Sequence, residues 1–246
     1  MPSGWTRWLL EQFEFPFEVV YPQELNAGEL SRNFDVLVFV SGAIPAASGG
    51  GDGRFRAPPD PATIPAEYQD RLGSITAETT IPALMEFMND GGTIITIGSS
   101  TAMAQHAGLP IENHLVGSDG SPLPMIEYYV PTSILTVSVD NSMPLAYGFD
   151  EHELVTFANS PTFKIGSGAM GVRPVAWFET DTPLRSGWAW GQEHLHNGVA
   201  IIDADVGEGK LYMFGPEVVR RAEPHGTFKF LFNGIYLSTA EEDSVR

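Results

Sequence analysis

Apolar positions along this chain follow two patterns, and the change between them predicts the layout. In the first half, "GWTRWLLEQF" (4–13) sets Trp5, Trp8, Leu9 and Phe13 at helical spacing, which predicts a helix capped by Ser3 and ended by Pro16. "FEVVY" (17–21) predicts a short strand. "FDVLVFV" (34–40) and "TIITI" (93–97) are unbroken apolar runs, as in strands covered on both faces of a parallel sheet. "ITAETTIPALMEFMNDGG" (75–92) predicts a helix with Leu84, Phe87 and Met88 inward and Gly91 as its stop. In the second half, "SILTVSVD" (133–140) alternates as an antiparallel or edge strand does, and "RPVAWFE" (173–179) predicts another strand. "VAIIDADVGEGKLYMFG" (199–215) predicts a hairpin turning at Gly207-Glu208-Gly209. "GTFKFLFNGIYLS" (226–238) predicts a closing helix with Phe228, Leu231, Phe232 and Ile235 on its apolar face.

Strands alternating with helices imply an α/β fold: a doubly wound, mostly parallel, flavodoxin-like sheet with an added antiparallel region in the C-terminal half. With no repeat or separate linker, a single domain over 1–240 is expected, followed by a flexible tail at 241–246. The first element is a helix, where a doubly wound domain begins with a strand. That order predicts a first strand upstream, in a longer protein of which this chain is a piece. "SGAIPAASGGGDGRFRAPPDPATIPAEY" (41–68) holds a Gly triplet and repeated prolines, so it cannot be regular over its length. It follows the carboxyl end of a buried strand, where α/β proteins bind ligands, and reads as a lid or a tolerated insertion.

Composition adds three limits. Hydrophobic residues make up 43% of the chain, enough for a sizeable core. Thirty-one Asp and Glu against 13 Lys and Arg give a net charge of −18, so nucleic acid and membrane surfaces are not expected as partners. The chain has no cysteine, which removes disulfides, thiolate zinc sites and cysteine nucleophiles together. No apolar run approaches the ~18 residues of a membrane span, and no signal peptide is visible in this chain.

"GGTIITIGSSTAMAQHAG" (91–108) reads as a buried strand, a tight turn and a helix start, the place where many α/β enzymes carry a nucleophile. Ser99 and Ser100 stand there. Ser100 with His225 as base is one reading; helix capping by both serines is the other. Free N–H groups at such a turn also attract small anionic or polar ligands, for which Ser99, Ser100, Arg220 and Arg221 are candidates. Arg220 and Arg221 are equally suited to local ion pairs with Glu217 or Glu223. In "GQEHLHNG" (191–198), His194 and His196 would share a face if the segment were a strand, and two imidazoles can begin a metal site. A third ligand from Glu217, Glu223 or His225 would be required; hydrogen-bonded surface histidines are the simpler reading. Trp177, Trp188 and Trp190 with Tyr128 and Tyr129 suit either a sugar- or peptide-binding strip or the core.

"GWTRWLLEQFEFPFEVV", "PAEYQDRLG", "EFMNDGGTIITIG", "MPLAYGF" and "GEGKLYMFGPEVVRRAEPHGTFKFLFN", in this order across nearly the whole chain, resemble one type of domain. It is the class I glutamine-amidotransferase-like domain found C-terminal to certain bacterial zinc carboxypeptidases of the M14 type. The resemblance implies an upstream peptidase domain in the same polypeptide as partner, and a periplasmic or secreted location for the whole. Zinc is expected only in that peptidase domain, since this chain lacks its His-x-x-Glu pair, and no cofactor is expected here. In class I amidotransferases the elbow reads Gly-x-Cys-x-Gly, with a His oriented by a Glu two residues later. Here Ser100 takes the cysteine's place, Ala102 the second glycine's, and His225 is followed by Gly226 and Thr227. The leading expectation is therefore a non-catalytic accessory domain. A serine hydrolase or amidase using Ser100 and His225, and a sugar- or peptide-binding module, are the alternatives.

Overall fold

The computed structural model describes residues 1–47 and 60–240. Residues 48–59 of the expected loop and the expected tail 241–246 lie outside the described residues. Five helices are present among them: α1 (Pro2–Gln12), α2 (Pro22–Ala27), α3 (Thr80–Asn89), α4 (Met103–His106) and α5 (Phe228–Leu237). The ten strands are β1 (Val36–Phe39), β2 (Thr93–Ile97), β3 (Ile111–Asn113), β4 (Ser133–Val139) and β5 (His152–Phe157), then β6 (Phe163–Ile165), β7 (Val172–Trp177), β8 (Leu184–Ser186), β9 (Val199–Val206) and β10 (Gly209–Phe214).

All ten strands join one sheet, whose main path runs β1-β2-β10-β9-β7-β4-β5. The parallel part is the trio β1, β2 and β10. From β9 onward every pairing is antiparallel. The α/β class and the antiparallel addition are as expected; by pairing, the addition is the larger part of the sheet. Every residue of β2 is buried, because β1 and β10 take its two edges and helices cover its faces. One core cluster packs α1 and α5 on one face of the sheet, and the other packs α2 and α3 on the opposite face. That is the layering of a doubly wound domain.

Several elements differ from their sequence expectation. α1 begins at Pro2 without a side-chain cap, so Ser3 is no cap. It buries Thr6, Leu9 and Leu10, while Trp8 and Phe13 are about half exposed. Residues 17–21 form no strand, because they pair with nothing. α3 starts at Thr80 rather than Ile75: Thr76 Oγ1 accepts from Thr79 N at 3.2 Å, and this local bond holds the chain out of the helix. Gly91, at φ +102°, ends α3 as expected. The β9–β10 hairpin turns at Gly207, φ +59°, as the sequence indicates.

Candidate functional site

The strand–turn–helix elbow is present: β2 ends at Ile97, a 3-10 turn covers Gly98–Ala102, and α4 follows. A nucleophile elbow places its reactive residue at the strained position of that turn. Here the strained residue is Gly98, at φ +58°. It has no side chain, and one could not be added in place. A Cβ on Gly98 would lie 2.6 Å from Ser41 Oγ and 2.8 Å from Glu217 Oε1. The space into which a nucleophile would project is filled by a hydroxyl and a carboxylate from two other segments.

Ser100 lies further along the turn and is fully buried. Its Oγ donates to Val40 O at 2.6 Å and accepts from Ala43 N at 3.0 Å and Ile44 N at 3.1 Å. A hydroxyl with those three partners has no free lone pair or proton to offer a substrate. His225 is exposed and packs its ring against Phe228, centroids 5.1 Å apart. The Ser100–His225 pair is therefore not assembled. The capping reading also fails, since neither serine bonds to a helix N–H. Ser99 Oγ accepts from Gly42 N at 2.8 Å and lies 3.3 Å from Ser41 Oγ. Both serines instead fasten the segment after β1 onto the elbow. His106 Nε2, 2.8 Å from Pro45 O, fixes the same segment further along. Residues 41–45 of the expected lid or insertion are thus tied down, and its described far end carries short 3-10 turns at Pro61–Thr63 and Ala66–Arg71.

Glu217 is the perturbed group of the site. Burial pushes its carboxyl above the ordinary range, while a hydrogen bond from Ser41 and the charge of Arg220 pull the other way. Arg220 therefore serves a local charge. Arg221, at φ +49°, lies 3.6 Å from Glu223 with both side chains exposed. The local ion-pair reading is met at Arg221, whose partner is Glu223. Sequence reasoning missed Ser41 and the role of Gly98, and gave Glu217 only as an ion-pair partner or third metal ligand, not as part of the elbow. One signal was available: counting "TIITI" as five strand residues puts Gly98, not Ser100, first in the turn.

The alternative metal pair rests on a strand that does not form. Residues Gln192–Leu195 are a 3-10 turn, and His194 and His196 are exposed at and after it. No cluster of three His, Cys, Asp or Glu suited to a metal occurs among the described residues. His196 contributes its backbone carbonyl to His114 Nε2 at 3.1 Å.

The aromatic residues divide. Tyr128 is buried and Trp177 half-buried. Trp188 and Trp190 are each 53% exposed, and Tyr129 lies edge-on to Trp188 with centroids 5.9 Å apart. Trp190 Nε1 donates to Ile126 O at 2.7 Å, and Ile126 is itself 80% exposed. Beside Trp188 opens a cleft of about 220 Å³, lined by Thr132, Ser133, Thr156, Ser186 and Glu223 among others.

No protein-family model matches the chain, and no curated protein matches it in sequence. Among solved structures, a GMP synthase-type protein from Thermoplasma acidophilum is similar at TM-score 0.53 and 13% identity, over 96% of this chain and 87% of that one. A ThuA-like protein from Bacteroides uniformis is similar at TM-score 0.50 and 8% identity, over 98% of this chain and 84% of that one. Identities this low speak to fold and not to activity. The fold is amidotransferase-like.

Proposed function

We propose that this chain is a non-catalytic, amidotransferase-like module that acts by association with a catalytic domain of the same polypeptide. The sequence resemblance names that domain as a secreted zinc carboxypeptidase of the M14 type. The observation that carries the non-catalytic part is the filled elbow: glycine at the strained position, and Ser41 and Glu217 where a nucleophile would stand. A module without chemistry of its own works through a surface, by stabilising or orienting its neighbour.

The test has two arms. The purified chain is offered activated esters and glutamine; no hydrolysis above buffer is expected, and turnover abolished by Ser100→Ala would refute the reading. The chain is then mixed with an M14-type peptidase domain that lacks it. A rise in that domain's thermal midpoint, or a change in its peptidase kinetics, is expected; unaltered stability and kinetics would remove the accessory role.

The exposed aromatics favour a second reading, a sugar- or peptide-binding module at Tyr129, Trp188 and Trp190. Saturable quenching of tryptophan fluorescence by oligosaccharides or peptides, lost in Trp188→Ala, is its expected mark. Fluorescence unchanged at millimolar ligand would dismiss it.

A further inference from the structure

The cleft of about 220 Å³ beside Trp188 is built across three strands. The register sets Thr156 of β5 opposite Ile134 of β4, and Ile134 opposite Ser186 of β8. Residues directly opposite one another share a face, so these three side chains form a row on one face of the sheet. A bulge completes the row. Leu135 pairs with Leu184 and Ile134 with Ser186, which leaves Arg185 as an extra residue. In a regular ladder Arg185 would stand opposite Ile134, and the Ser186 hydroxyl would leave the row. Glu217 N donates to Thr156 O at 3.1 Å, so the segment after β10 runs along the free edge of β5. The same segment then supplies Glu223 and Pro224 to the cleft's lining.

Thr156 is the unusual member. It is 4% exposed, yet its hydroxyl bonds to no group among the described residues. Nor is it sealed away, as the partnerless hydroxyls of Tyr128 and Thr162 are. Its donor and acceptor sites are therefore kept for whatever enters the cleft. The exposed Ser186 hydroxyl is likewise unbonded among the described residues. Ser133 differs: its Oγ accepts from Trp188 N at 2.9 Å and donates to Trp188 O at 2.6 Å, which fixes the tryptophan's backbone at the cleft. Gly187 permits that approach, since at φ +99° a Cβ would lie 2.6 Å from Ser133 Oγ.

These groups select a ligand by shape and polarity. Ile134 and Pro224 offer apolar surface, and Thr156, Ser186 and Glu223 offer polar atoms around it. A sugar ring has the matching form, with C–H groups on its faces and hydroxyls at its rim. The two oxygens of Glu223 can accept from adjacent hydroxyls. Glu223 is the one charged residue in the lining, and Arg221 lies 3.6 Å from it, so the cleft does not call for a cationic ligand. The space equals about seven waters' share of liquid volume, room for one ring and not for an extended peptide. Trp188, half exposed and edge-on to Tyr129, stands next in sequence to the lining residue Gly187, where an adjoining ring can stack.

We propose that this cleft binds one neutral pyranose unit of a saccharide through Thr156, Ser186 and Glu223, with the following unit on Trp188. The inference rests on the second reading above. It goes further in choosing saccharide over peptide and in placing the polar contacts in the cleft rather than on the aromatic strip.

Methyl-group NMR of the chain tests it, with the neutral methyl glycosides of glucose, galactose, mannose and xylose as probes and Gly-Ser-Gly as the peptide control. At least one glycoside is expected to shift the Thr156 and Ile134 methyls saturably, and the peptide to leave them in place. Thr156→Val keeps the side chain's shape and is expected to weaken that binding about 5- to 10-fold with no fall in thermal midpoint, since the hydroxyl has no partner to lose. Ser186→Ala, at an exposed position, is expected to weaken it similarly and serves should Thr156→Val fail to fold. Methyls unmoved by every glycoside at tens of millimolar would overturn the proposal, as would shifts caused by the peptide alone. Glycoside binding that quenches tryptophan fluorescence but is untouched by both substitutions would also overturn it, while leaving the aromatic reading standing. Silence of both the methyls and the tryptophans would remove the two together.

Discussion

Ser100 and Glu217 both belong to the elbow and respond oppositely to substitution. Ser100→Ala removes the acceptor of two backbone N–H groups and the donor to Val40 O in a fully buried setting. Unsatisfied buried groups cost about 1–3 kcal/mol each and are not additive, so a loss of roughly 2–4 kcal/mol is expected. Urea unfolding should show a lower midpoint at unchanged slope. A catalytic serine would behave differently, because trading strain for alanine usually stabilises. Midpoints within error of each other would return Ser100 to the candidate nucleophiles. Glu217 carries the reverse sign. Its folded carboxyl titrates above the ordinary 4.5 because burial disfavours the anion. The native state thus holds the proton more tightly than the unfolded chain, so its contribution favours folding at low pH and is lost as pH rises through the folded value. Glu217→Gln should therefore gain stability relative to the parent as pH rises from the ordinary 4.5 through the range of the folded value. A parent-minus-variant difference that is flat across this range would mean that Arg220 and Ser41 fully offset the burial.

At the scale of elements, the antiparallel sheet carries a charge cluster that ties three strands. Arg173 on β7 forms a two-point contact with Asp205 at 2.9 and 3.0 Å and reaches Asp203 at 3.1 Å, both on β9. Lys210 on β10 contacts the same two carboxylates. Asp203 is buried, so losing a cation leaves a charge with fewer partners where water cannot replace them. Arg173→Leu is expected to cost about 1–2 kcal/mol at pH 7, above the range of exposed pairs. The Arg173 hydrogen bonds hold Asp205 below its ordinary 3.8, so this contribution is present at neutral pH and lost as pH falls through the folded value. The penalty should shrink toward pH 3; a constant penalty would indicate lost packing of the arginine stem instead. This cluster was not legible in the sequence, because Arg173 meets its partners across a register that only the sheet sets. β2, β9, β10 and α5 were legible, since each is written in a local apolar pattern that burial on one or two faces demands. The elbow was legible in outline and not in content. Ser100 finds its partners 56 to 60 residues away, and the turn's strained residue depends on where β2 stops. The pattern of 17–21 suggested a strand, but a strand also requires a partner, and β1's open edge is not closed by it.

For the whole molecule the governing quantity is the net charge of −18. A surplus of that size sets carboxylates against one another over the surface and weakens the compact state. Opposing it among the described residues are favourable contacts, chiefly the Arg173–Asp203–Asp205–Lys210 cluster, which salt also weakens. Thirteen cations neutralise at most 13 of 31 acidic charges, which leaves a surplus of 18 to repel one another. Raising NaCl from 20 mM to 500 mM shortens the screening length from roughly 20 Å to about 4 Å and should relieve more than it removes. At pH 7.5 the thermal midpoint is expected to rise by about 2–4 °C, the equivalent of roughly 1 kcal/mol for a chain of this length. Near pH 4.5, the isoelectric point, the surplus is gone and the same salt step should leave the midpoint unchanged or lower it. NaCl is the right salt, since sulfate would stabilise through exclusion from apolar surface whatever the charge. A midpoint that falls with NaCl at pH 7.5 would mean that the paired charges outweigh the unpaired ones.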